Sequence, residues 1–69
     1  VSEEPKNIAE AIALEIHRNR ELLEVYRSLP TGAFGATTIS IDIKNAVDAL
    51  ASGDVIKILQ AYETLKKNE

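Results

Sequence analysis

His17, Glu21 and Glu24 are the residues of this 69-residue chain best spaced to do chemistry. On a helix, positions i, i+4 and i+7 share one face, so an imidazole and two carboxylates would point the same way, as ligands of a divalent cation would. A catalytic zinc site takes three protein ligands held by further hydrogen bonds, and a structural site takes four. This triplet would be open on every side and serves equally as ion-pair decoration of a solvated helix. We therefore expect no metal and no other cofactor.

A nucleophile would need the single histidine beside Ser28, Ser40 or Ser52, with an orienting acid and an oxyanion hole. The glycines of "TGAFG", Thr31 to Gly35, match neither a P-loop nor a dinucleotide fingerprint, and they follow a helical pattern rather than a strand. The expectation is a protein that is not an enzyme. Arg18, Arg20 and Arg27 form the most basic part of the chain, but Glu15, Glu21 and Glu24 are interleaved with them. With eight bases against eleven acids and a net charge of −3, the chain lacks the concentrated basic face that phosphate neutralisation requires. A recognition helix beginning at "DVIKILQ" would offer only Lys57 and Gln60 as readers of bases or phosphates. Nucleic acid is not the expected partner, and a small DNA-binding transcriptional regulator stands as the alternative reading.

Composition bounds the elements that must carry these residues. A chain of this size buries only about 60% of the surface its unfolded form exposes, so the core must be thin. Without cysteine, neither a disulfide nor a thiolate metal site can supplement it. At 45% hydrophobic and 28% charged residues the chain is a globular domain, and no run of ~18 apolar residues could span a bilayer. The opening "VSEEPKN" is polar and acidic, unlike a signal peptide, so the expected compartment is the cytoplasm.

Ser2 is a candidate N-cap for a first helix that starts between Glu3 and Lys6, with Pro5 tolerated in its first turn. Ile8, Ile12, Ile16 or Asn19, Leu23 and Tyr26 then recur at helical spacing as far as Leu29, before Pro30. Lys6 with Glu10, Glu15 with Arg18, Arg20 with Glu24, and Glu24 with Arg27 are spaced for ion pairs on its surface. In "ASGD", Gly53 suits the left-handed position after one helix and Asp54 the N-cap of the next. That last helix presents Val55, Ile58 or Leu59, Tyr62 and Leu65 on one face, with Lys66 and Lys67 in its final turn.

"GAFGATTISIDIK", Gly32 to Lys44, is ambiguous, because Ile39, Ile41 and Ile43 alternate as in a strand. No second alternating segment exists to pair with it, and an isolated strand leaves its backbone groups unsatisfied. At helical period, Ala36, Ile39, Ile43, Ala46 and Leu50 make one unbroken stripe. Burial of that stripe can outweigh the few tenths of a kcal/mol that each β-branched residue costs a helix. A helix from Phe34 to Ser52 is expected, with Gly35 a weak or close-packed point and Phe34 plugging the end of the bundle.

At "RNRELLEVYRSLPTGAFGATTI", Arg18 to Ile39, and "ALASGDVIKILQAYETLKK", Ala49 to Lys67, the chain resembles small uncharacterised helical proteins of phage and prophage genomes. The shared pattern is an acidic and basic helix ending in Tyr, a Pro and "GAFGA" corner, then "AL-SGDV" and "AY--LK". The β-branched Thr37, Thr38 and Ile41 depart from it. The resemblance implies a helical accessory protein of a mobile element and carries no site residues.

The fold these patterns predict is all-α: an antiparallel three-helix bundle in one domain, residues 1–69, with a long first helix (helices about 3–29, 34–52 and 55–67). One feature exceeds what that core needs. Beside the stripe through Ile8, Ile12, Leu23 and Tyr26, a second runs through Ala11, Leu14, Leu22, Val25 and Leu29. Either each shorter helix takes one stripe, or the second is an interaction surface, since excess apolar surface marks a partner. The expected function is that of a small non-enzymatic protein-interaction or regulatory factor. Its partner is another protein or a second copy, with Leu14 and Leu22 at the centre of a homodimer.

Overall fold

The computed structural model describes residues 7–69, which form three helices: α1 (Ile8–Ser28), α2 (Ala33–Ser52) and α3 (Val55–Lys66). All three pack against one another, and α1, at 21 residues, is the longest. The fold is the expected three-helix one, although α2 with 20 residues nearly equals α1 and α3 with 12 is the short element.

The first helix starts later than the Glu3-to-Lys6 expectation. Asn7 is extended, and its side-chain oxygen accepts from the Glu10 amide at 2.8 Å, closing off the first turn as an N-cap. The expected cap at Ser2, the first-turn role of Pro5 and the Lys6 partner of Glu10 lie outside the described residues. At the other end Leu29 turns extended ahead of Pro30, as the ring of a following proline demands.

The corner between α1 and α2 is built on Tyr26. A Cβ on Gly32 would collide with the Tyr26 carbonyl, and one on Gly35 would strike the Tyr26 ring, so both glycines are close-packing points. Phe34 does not plug the bundle: it is 86% exposed, because the start of α2 turns that position outward while Gly35 and Ala36 face α1. The Thr37 and Thr38 hydroxyls bond back to the Ala33 and Phe34 carbonyls, so this β-branched segment is helical throughout. Between α2 and α3, Gly53 adopts φ 72°, and Asp54 accepts from the Ile56 and Lys57 amides.

The core joins Ile12, Ile16 and Leu23 of α1 to Ile39, Ile43, Ala46 and Ala49 of α2, and to Ile58 and Leu65 of α3. On α3, Ile58 rather than Leu59 faces inward, while Val55 and Leu59 stay 56% and 44% exposed. The directions follow from side-chain contacts. Gly35 lies on Tyr26, and Asp42 shares the Asn68 amide with Asn19, so α2 runs antiparallel to α1. The Leu65 carbonyl meets Arg18 and Asn19, and the Glu69 carbonyl meets Tyr26, so α3 runs in the direction of α1.

Candidate interaction face

His17, Glu21, Glu24, Ser28 and Ser52, singled out for chemistry, each have a structural occupation, and Ser40 is exposed on α2. His17 Nε2 lies 3.6 Å from Glu21, with both side chains about three-quarters exposed (75% and 72%). Glu24 turns instead to Arg27 at 3.1 Å. Among the described residues no three His, Cys, Asp or Glu side chains come together as metal ligands would. The Ser28 and Ser52 hydroxyls donate to the Val25 and Ala49 carbonyls of their own helices, at 2.6 and 2.7 Å.

Arg18 and Arg27 are held by acids as their spacing suggested, whereas the expected Arg20–Glu24 pair does not form, because Glu24 is taken by Arg27. Arg18 grips the Glu15 carboxylate at 2.9 Å and also donates to the Leu65 carbonyl at 2.8 Å, where α3 ends. Its pKa is raised, chiefly by that hydrogen bond to Glu15, so the guanidinium stays charged at every accessible pH. A cation at the last carbonyls of α3 also complements the negative end of the helix dipole. Lys57 and Gln60 line an open groove between α2 and α3 of about 350 Å³, with Asp48 on its opposite wall.

The second stripe of α1 divides in two. Ala11 is buried (8% exposed), and Leu22 is partly buried and packs against the core. Leu14, Val25 and Leu29 remain 52%, 55% and 49% exposed. At 100° per residue, Leu14, Arg18, Glu21 and Val25 fall within one sector of α1, on its outward side, away from Ile12, Asn19 and Leu23. The groove-lining Lys57, Gln60, Ala61 and Thr64 mark the side of α3 that faces α2. By the same spacing Val55, Leu59 and Tyr62 lie on its other side.

One cluster was not foreseen. Asn19, wholly buried, donates to the Glu15 and Leu65 carbonyls at 2.8 and 3.2 Å and accepts from Asn68 at 3.0 Å. Asn68 also donates to Asp42 at 3.1 Å. No buried side-chain nitrogen or oxygen among the described residues is left without a partner, so this network is a fastening of the three helices rather than a reactive centre. The sequence carried half the signal, in Asn19 on the core stripe.

No known protein family, curated protein or solved structure matches the chain. Among the described residues no helix is long and apolar enough to cross a membrane.

Proposed function

We propose that the protein is a small non-enzymatic interaction or regulatory factor that works by binding another protein through the exposed flank of α1. The observation that carries this reading is the division of the stripe. The same helix that buries Ile12, Ile16 and Leu23 leaves Leu14 and Val25 about half exposed on one side, and Leu29, just past its end, is about half exposed as well. What supports association is the pattern these residues make with the charged Arg18 and Glu21 between Leu14 and Val25. The resemblance at the Pro and "GAFGA" corner supports an origin in a phage or prophage, and the cytoplasm is the proposed compartment. A DNA-binding role is less well supported, since Arg18 and Arg27 are paired with Glu15 and Glu24.

The test is capture from a bacterial lysate with mass-spectrometric identification, run in parallel on the wild type and on a Leu14→Glu, Val25→Glu, Leu29→Glu variant whose helicity is checked by circular dichroism. Proteins retained by the wild type at moderate salt and lost by the variant support the reading. Retained DNA that dissociates steeply between low and moderate salt would favour the regulator instead.

A further inference from the structure

The exposed flank of α1 is self-complementary. Its four outward residues are Leu14, Arg18, Glu21 and Val25, apolar at both ends and oppositely charged between. A two-fold axis crossing α1 between Asn19 and Arg20 sets Leu14 of one copy against Val25 of the other. The same axis sets Arg18 against Glu21, twice, with no further adjustment. We infer that the partner of this flank is a second copy of the chain, joined by antiparallel pairing of the two α1 helices in that register. The inference deepens the protein-binding reading above and rests on it.

Two observations support the pairing. Arg18 is held in place by Glu15 and the Leu65 carbonyl through its Nε and Nη2 atoms, and among the described residues no hydrogen bond uses Nη1. The guanidinium is thus fixed in orientation with a donor to spare, so little side-chain entropy is lost when it meets Glu21 of the second copy. Glu21 is 72% exposed, and among the described residues its one ion-pair partner is His17, at the long distance of 3.6 Å. Isologous pairing of this kind is the commonest route to a closed oligomer.

The chain contains no cysteine, so introduced thiols report contacts without background. Leu14→Cys and Val25→Cys, mixed under mild oxidation, should give a linked dimer of one chain of each kind. Either variant alone should give none, because identical positions then lie about 16 Å apart along the helix, beyond disulfide reach. Sedimentation equilibrium of the wild type should approach twice 7.6 kDa with rising concentration. Glu21→Arg, which sets arginine against arginine, should raise the dissociation constant at least about tenfold with helicity unchanged, and Glu21→Gln less. A wild-type mass of 7.6 kDa up to millimolar concentration, or disulfides between identical positions, would overturn the inference. If that monomer still captures a protein through Leu14, the binding reading survives and only the identity of the partner changes. If Leu14→Glu alters neither mass nor capture, the binding reading itself fails.

Discussion

Asn19 and Leu65 meet where the three helices converge: the carboxamide of one, shielded from solvent, donates to the main-chain carbonyl of the other at 3.2 Å. The bond fixes how far α3 slides along α1. Because Asn68 reaches back to the same side chain, the register is checked from both sides of the α3 terminus.

Removing the carboxamide should therefore be costly. Asn19→Ala takes one hydrogen bond each from Asn68, which keeps Asp42, and from the Leu65 carbonyl, which keeps Arg18, and should destabilise by about 1–2 kcal/mol. Asn19→Asp should cost more, since it buries a carboxylate facing a carbonyl oxygen. Urea unfolding followed at 222 nm measures both; equal, small losses would mean that water substitutes freely at this point.

The two corner glycines should respond differently. Gly→Ala gains about 1 kcal/mol of helix propensity at a position without contacts. Here the added methyl meets Tyr26, so both Gly32→Ala and Gly35→Ala should be net destabilising, the first more so because it strikes backbone. In a Tyr26→Ala background the penalty of Gly35→Ala should shrink and that of Gly32→Ala should persist. The comparison of melting midpoints across the four variants is the check.

Gly53 is a purely conformational case. An added Cβ meets nothing within 4 Å, yet φ is 72°. Gly53→Ala should cost about 1–2 kcal/mol, Gly53→Val at least as much, and Gly53→Asn less, because asparagine tolerates the left-handed region. A denaturation midpoint unchanged by valine would contradict the left-handed assignment.

Phe34 and Ile39 should separate by exposure. Phe34→Ala should change stability by no more than about 0.5 kcal/mol, and Ile39→Ala should lose about 2–5 kcal/mol. Carbon chemical shifts of Ile39, Ile41 and Ile43 on the helical side of random coil would confirm the secondary structure behind that contrast.

What could be read from the sequence was what depends on neighbours. The period of Ile39, Ile43 and Ala46, the Gly53 and Asp54 punctuation, and the pairing of Glu15 with Arg18 and Glu24 with Arg27 all arise within a turn or two of one helix. Phe34 failed because an aromatic beside a corner fits a plug or a solvent position equally well. The choice was decided by Gly35 closing on Tyr26. The interaction stripe was half legible: its width showed in the spacing, but the loss of Ala11 and Leu22 to the core depends on where α3 docks. That docking is set by Asn19, Leu65 and Asn68, residues with no local relation to one another.

The Asn68 contact also makes the end of α3 a clasp on the other two helices. Asn19 takes an acceptor from Leu65 and a donor from Asn68, Asn68 holds Asp42 of α2 as well, and the Tyr26 hydroxyl donates to the Glu69 carbonyl. Fraying of this end would therefore loosen α1 and α2 together, since Asn19 would lose its partners on α3 while Leu65 left the shared core.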